Sequence, residues 1–195
     1  MTIDEIEKHA EYAIMEMKTR LAIYSKEAES QGLDKIEHIK ARVKSTESIK
    51  EKVEKKGLEY NPENVKTYIR DIAGIRAVVL FEDDIYSLYE YIMSQEDLVV
   101  TRVKDYVKCP KKSGYRSLHM NIIVPVCIGA RTEKIEIELQ IRTVAMDFFA
   151  TIEHKLKYKS DTNISNDISQ ELKLCSEIIK DLDKKMYNID KRLRV

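Results

Sequence analysis

Residues 134–142 read KIEIELQIR, and residues 75–81 read IRAVVLF. In the first stretch Ile135, Ile137, Leu139 and Ile141 alternate with Glu136, Glu138, Gln140 and Arg142. A period of two sends alternate side chains to opposite faces of a strand, so one face is apolar and the other carries two carboxylates, an amide and a guanidinium. The second stretch is a short unbroken apolar run, the pattern of a central strand. A solvated sheet face shows the same charged alternation, so the pattern alone leaves a bland surface and a functional site both open.

Outward from these two strands the chain reads as helices and strands in alternation. Ile3, Ile6, Ala10, Ala13, Ile14, Met17, Leu21 and Tyr24 form one helical stripe, and Gln31-Gly32 marks its stop. A strand is expected over Ile36–Val43, and Ser45 or Thr46 caps a helix from Glu47 to Lys56, ended by Gly57. Asn61-Pro62 reads as a turn. Asp83 and Asp84 open a helix through Ile85, Leu88, Tyr89 and Ile92, followed by strands at Leu98–Val103 and Ser117–Val124. Between those strands DYVKCPKKSGY (105–115) is a loop by composition. From Ala145 the spacing is helical again. After the polar break SDTNISND (160–167), a last helix carries Ile168, Leu172, Cys175, Ile178, Ile179, Leu182 and Met186. The order predicts an α/β or α+β core with helical extensions at both ends, in one domain spanning 1–195: an N-terminal helix at 1–32, a core at 36–159 and a C-terminal helix at 166–195.

Composition narrows the class. In 195 residues, 34 Lys+Arg balance 34 Asp+Glu, with 43% hydrophobic residues, 5 Gly and 3 Pro, which excludes disordered and collagen-like chains. Zero formal net charge argues against bulk capture of DNA or an anionic membrane. No apolar stretch approaches the ~18 residues of a membrane span, and the acidic start MTIDEIEKHAEY lacks a signal-peptide core, so the expectation is a soluble cytoplasmic protein. Cys109, Cys127 and Cys175 are scattered without a CxxC and read as small buried hydrophobes rather than disulfide or zinc ligands.

Three neighbourhoods carry chemistry. Asp71 and Arg76 bracket the start of the apolar strand in DIAGIR, with Gly74 either relieving a tight turn or letting a ligand approach the backbone. Asp71 and Glu138, from neighbouring strands, suit one Mg²⁺, which takes oxygen ligands from one or two carboxylates plus substrate phosphates; Glu136 is the alternative second carboxylate. In HIKARVKSTESIKEK (38–52), Lys40, Arg42 and Lys44 share a face if the chain is extended, lining a path for a polyanion, with Ser48 and Lys52 beyond. In KCPKKSGYRSLH (108–119), Lys108, Lys111, Lys112, Arg116 and His119 crowd Tyr115. Cations beside an aromatic face suit a nucleotide, and suit RNA equally.

Taken in order, RVKSTESIKEK, DIAGIRAVV, PKKSGYRSLH and IEIELQIRTVAMDFFATIEHKLKYK resemble the synthetase domain of the RelA/SpoT superfamily, in particular its small single-domain alarmone synthetases. The likeness covers roughly residues 36–159. It implies a nucleotidyltransferase-like mixed sheet flanked by helices. It also implies transfer of a pyrophosphoryl group from ATP to the ribose 3′-hydroxyl of GTP or GDP, making (p)ppGpp and releasing AMP. Large members of the superfamily add a hydrolase domain with a His-Asp pair; none of the four histidines here is followed by Asp, so synthesis without hydrolysis is expected.

By the same resemblance Arg42, Lys44, Ser48 and Lys52 belong to the ATP side, with Arg42 and Arg76 sandwiching adenine. Asp71 is the metal ligand, and Glu138 is a second ligand and base for the 3′-hydroxyl. Tyr115 stacks on guanine, with Lys111, Arg116, His119, Gln140 and Arg142 around the acceptor. Asp147 stands where many relatives have Asn and is expected to accept from guanine N1–H and the 2-amino group. Arg142 reads equally as a structural ion pair, while His154 and Phe149 are expected to pack. The resemblance further implies Mg²⁺ as cofactor and a homotetramer. Some relatives bind regulatory alarmone or RNA in a central cleft, and no motif here assigns that. Rival readings are a pyrophosphokinase acting on adenine nucleotides or the tRNA 3′ end, and a silent nucleotide- or RNA-binding module.

Overall fold

The computed structural model describes residues 1–33, 35–159 and 166–193. Its centre is a five-stranded sheet in the order β1-β2-β5-β4-β3, made of β1 (Ile36–Val43), β2 (Ala73–Val79), β3 (Val99–Asp105), β4 (Leu118–Ile128) and β5 (Arg131–Thr143). Only β2 and β5 run parallel, and the other neighbours are antiparallel. The helices are α1 (Ile3–Ser30), α2 (Thr46–Glu54), α3 (Pro62–Tyr68), α4 (Glu82–Met93), α5 (Val144–Lys159) and α6 (Asn166–Leu193). The mixed sheet flanked by helices is the architecture expected from the sequence.

The register explains why one face is a core and the other a site. Ile75, Ala77, Leu139, Ile141, Leu118 and Met120 fall in one set of paired positions. These side chains are buried with Ala13, Met17 and Leu21 of α1 and Ile85, Leu88 and Ile92 of α4. Tyr91 of α4 packs against Tyr24 of α1 in a tilted pair with ring centroids 4.8 Å apart, and Arg20 makes a bidentate pair with Asp97 at 2.9 and 2.6 Å. The opposite set of positions carries Lys40 and Arg42 on β1, Gly74 and Arg76 on β2, Glu138, Gln140 and Arg142 on β5, and His119 and Asn121 on β4. Of these, Lys40 and Arg42 are exposed, and Arg76, Glu138, Gln140 and His119 are half-buried.

Helix ends follow local chemistry. Thr2 and Glu5 form a capping box at the start of α1, and Gly32 takes φ +73° just past its end. Ser45 caps α2. The expected turn at Asn61-Pro62 is instead the start of α3: Asn61 accepts the backbone N–H of Asn64, and Pro62 occupies the first turn, where its missing N–H costs nothing. All three cysteines, expected in the core, are exposed and free. Cys127 and Cys175 take the solvent side of otherwise amphipathic elements, and Cys109 lies on the open loop. Residues 160–165 of the expected polar break lie outside the described residues.

Candidate active site

Asp71 sits in the short segment between α3 and β2. Its Oδ2 accepts from Lys44 Nζ at 2.5 Å and from Lys52 Nζ at 2.7 Å, whereas its buried Oδ1 has no hydrogen-bond partner. Burial pushes this carboxyl up, but the two ammonium groups outweigh burial and hold it below the usual aspartate value. Lys44 is carried here by its backbone N–H, which donates to the Ile72 carbonyl at 2.8 Å and steers the chain as it leaves β1.

Glu138 lies opposite Gly74 on β2 and Asn121 on β4. Its Oε1 is 3.5 Å from His119 Nδ1, and Gln140 Nε2 donates to its Oε2 at 2.8 Å. From there a closed ring of polar contacts runs on. Arg142 Nη2 donates to Gln140 Oε1 at 2.7 Å and to the Tyr115 hydroxyl at 2.8 Å, and that hydroxyl meets His119 Nε2 at 2.9 Å. The Tyr115 oxygen accepts from Arg142; in the tautomer with Nδ1 protonated, His119 accepts the Tyr115 proton at Nε2 and donates toward Glu138 from Nδ1. The His119 contact, followed by that of Gln140, outweighs burial and keeps the Glu138 carboxyl below its ordinary value. Burial pushes the Tyr115 phenol up and the Arg142 guanidinium down.

The aromatic platform is larger than the sequence indicated. Tyr106 meets Tyr115 and His119 edge to face, at 6.1 and 5.2 Å between centroids, and Lys111 Nζ lies over both tyrosine rings at 4.9 and 4.6 Å. Tyr106 stood in the loop sequence without a spacing to distinguish it; its place in the site comes from the fold bringing the two loop ends together.

Four expected residues go elsewhere. Arg116 is buried and turned away from the ring, giving hydrogen bonds to the Val107 carbonyl at 3.3 and 3.1 Å and an ion pair to Glu82 at 3.0 Å. Ser48 meets the Ser45 cap. Glu136, the alternative metal carboxylate, is taken by Arg70 at 2.8 Å and by the Thr101 hydroxyl at 3.0 Å. His154, expected to pack, is exposed, while Phe149 is buried as expected.

Asp147 joins the two sides of the face. Its Oδ1 lies 3.2 Å from Arg76 Nη1 and 3.4 Å from Arg142 Nη1, and its Oδ2 lies 4.0 Å from His38 Nε2. Arg142 is therefore both an ion pair and a member of the polar ring. Arg42 and Arg76 are diagonal neighbours on paired strands, since Arg42 faces Gly74 and Lys40 faces Arg76. Gly74 has negative φ, and a Cβ there would meet only the Arg42 carbonyl oxygen at 3.7 Å. The glycine therefore serves no turn; it keeps a side chain off the polar face opposite Arg42 and two residues from Arg76.

Among the described residues no three His, Cys, Asp or Glu side chains gather to hold a metal unaided. The donor set present is one orphaned carboxylate oxygen on Asp71 and a second ionised carboxylate on Glu138, close enough to repel it. Two carboxylates beside phosphate-binding cations fit a divalent ion that completes its shell with substrate phosphates and water.

An open polar sheet face with two carboxylates, clustered cations and an aromatic platform is the setting of a phosphate-handling, nucleotide-dependent transferase. Residues 41–163 match the region found in RelA / SpoT proteins. The chain is 43% identical over 183 residues to the GTP pyrophosphokinase YwaC of Bacillus subtilis, covering 93% of this chain and 87% of that one. Its fold matches the crystal structure of small alarmone synthetase 2 from Bacillus subtilis with TM-score 0.88 and 40% identity, over 97% of this chain and 98% of that one. It also matches small alarmone synthetase 1 from the same organism, bound to its product pppGpp, with TM-score 0.84 and 34% identity, over 95% of both chains. The chain belongs to the RelA/SpoT family and is of the small alarmone synthetase type.

Proposed function

We propose that this protein is a GTP/GDP pyrophosphokinase, transferring the β,γ-pyrophosphoryl group of ATP to the ribose 3′-hydroxyl of GTP or GDP with release of AMP. The observation that carries the reading is the polar ring that links Glu138 to Tyr115, set beside the orphaned Asp71 oxygen on an open sheet face. The names of the similar proteins, and the pppGpp bound to one of them, support it.

In this reading adenine lies between Arg42 and Arg76, whose planar guanidiniums stack on aromatic faces. Lys44 and Lys52, held together at Asp71 Oδ2, stand where the polyphosphate passes. Guanine stacks on Tyr115, beside which Lys111 Nζ and Arg142 Cζ lie 4.6 and 5.4 Å from the ring centroid. Asp71 and Glu138 would hold Mg²⁺, which when bound would neutralise phosphate charge. The 3′-hydroxyl oxygen attacks the β-phosphorus and the bond to the α-phosphate oxygen breaks. Such transfers rely on positioning and charge stabilisation more than on a strong base. That suits Glu138, which is ionised throughout the physiological range, accepts a hydrogen bond from the attacking hydroxyl and then takes its proton.

Arg116 and Ser48 shape the site through the loop and the α2 cap rather than by touching substrate. Asp147 acts as the shared counter-ion of an ATP-side and an acceptor-side arginine, because reading guanine with both oxygens would require it to release two guanidiniums. No helix among the described residues is long and apolar enough to cross a membrane, and the nucleotides of the proposed reaction support a cytoplasmic location. Exposed Val144, Phe148, Ile152 and Leu156 on α5, with Leu174, Ile178, Leu182 and Met186 on α6, form apolar stripes that fit a homotetramer. The test of function is product formation: ATP consumed with GDP or GTP must yield AMP and a new guanosine species in equal amounts.

A further inference from the structure

Behind the acceptor side of the site, two side chains of α6 reach the chain neighbours of site residues, while further along Tyr187 meets Phe81 and Asp83 at the start of α4. The Ser176 hydroxyl donates to the Gly114 carbonyl at 2.6 Å and is buried there. Gly114 has φ +87°, and a Cβ at this position would lie 2.5 Å from Ser176 Cβ, so helix and loop meet at a distance only glycine allows. Two turns further along α6, Asp183 Oδ2 accepts from the Thr143 hydroxyl at 2.8 Å. The Thr143 oxygen in turn accepts the backbone N–H of Met146 at 3.2 Å and so also caps the start of α5. Met146, Phe149 and Ile179 line a small cavity between the two contacts.

The positions of these contacts are what matter. Gly114 immediately precedes Tyr115, and Thr143 immediately follows Arg142. Tyr115 and Arg142 are the pair joined at 2.8 Å on the acceptor side. Helix α6 thus grips the neighbour of each member of that pair, while Lys44, Lys52 and Asp71 hold each other without it. Burial pushes the Asp183 carboxyl up, and what Thr143 needs from it is an acceptor oxygen rather than a charge.

We propose that Ser176 and Asp183 are positioning residues for the acceptor nucleotide: through Gly114 and Thr143 they hold Tyr115 and Arg142 in the arrangement that receives the guanosine nucleotide. The proposal rests on the assignment of Tyr115 to the acceptor side. It predicts a selective defect. With the full-length chain, calorimetric titration of GDP and steady-state kinetics for GDP and ATP would be compared across Ser176→Ala, Asp183→Ala and Asp183→Asn. Loss of one such hydrogen bond is expected to raise the GDP dissociation constant and KM about three- to tenfold, with the ATP KM unchanged. Asp183→Asn, which keeps an acceptor oxygen, should stay close to the parent protein, a rescue that general loss of packing would not produce. Should Ser176→Ala fail to fold, the two Asp183 variants decide the matter alone. Unchanged GDP affinity in both alanine variants, or ATP and GDP constants rising together, overturns the proposal while leaving the function intact. A parent protein that binds no guanosine nucleotide overturns the functional reading and this proposal with it.

Discussion

Two carboxylates with opposite companions set the chemistry at the scale of single residues. Asp71 leans on lysines, which are free to shift to phosphate; Glu138 leans on His119 and Gln140, which keep it ionised. Glu138→Gln is expected to lower turnover at least ~100-fold, the usual scale for losing a positioned proton acceptor, while ATP binding by calorimetry stays within a few-fold. Both carboxyls lie below their ordinary values when folded. The stability they contribute is therefore present above the unfolded values and is lost as pH falls through the lower, folded ones. Thermal unfolding followed from pH 7 to 3 should show that acid loss diminished in Asp71→Asn; an identical pH dependence would contradict the pairing. Asp147→Ala separates two roles. A shared counter-ion predicts weaker binding of both ATP and acceptor, and a guanine reader predicts a raised acceptor KM alone.

Elements show which of these residues a one-dimensional pattern reveals. The alternation of β5 displayed Glu138, Gln140 and Arg142 on one face because strand period and side-chain chemistry coincide there. Asp71, Lys44 and Lys52 each stand out in their own stretch of sequence, but their meeting at one point is not legible there, since no local spacing brings a strand-end lysine, a helical lysine and a loop aspartate together. Arg116 shows the converse. Its neighbours Tyr115 and His119 enter the ring, but at the loop's return the backbone turns the intervening side chain toward Glu82. The start of α3 was misread because Asn-Pro signals a turn and a helix N-terminus equally well; the helical outcome was set by the Asn61 cap and burial of Val65. At this scale Gly114→Ala combines positive φ with the 2.5 Å approach to Ser176. It should cost about 1–3 kcal/mol and raise the acceptor KM, as read by denaturant unfolding and kinetics. Leu21→Ala, in the wholly buried stripe of α1, should cost about 2–5 kcal/mol and leave both KM values unchanged.

For the whole molecule, the sheet separates support from function: α1 and α4 cover the apolar face, and the polar face stays open to nucleotides. The apolar stripes of α5 and α6 lie outside that division. Ile178, at 67% exposed, lies on solvent in the single chain. Ile178→Asp with Leu182→Asp should therefore lower the mass measured by light scattering, and an unchanged mass would remove α6 from the assembly surface. The central claim is tested most directly by incubating the purified protein with Mg²⁺, labelled ATP and either GDP or GTP, and separating the products by chromatography. AMP and a 3′-pyrophosphorylated guanosine nucleotide are expected in equal amounts, with both formed at least ~100-fold more slowly by Glu138→Gln. ATP left intact with both acceptors, or AMP released without a new guanosine product, would contradict the claim.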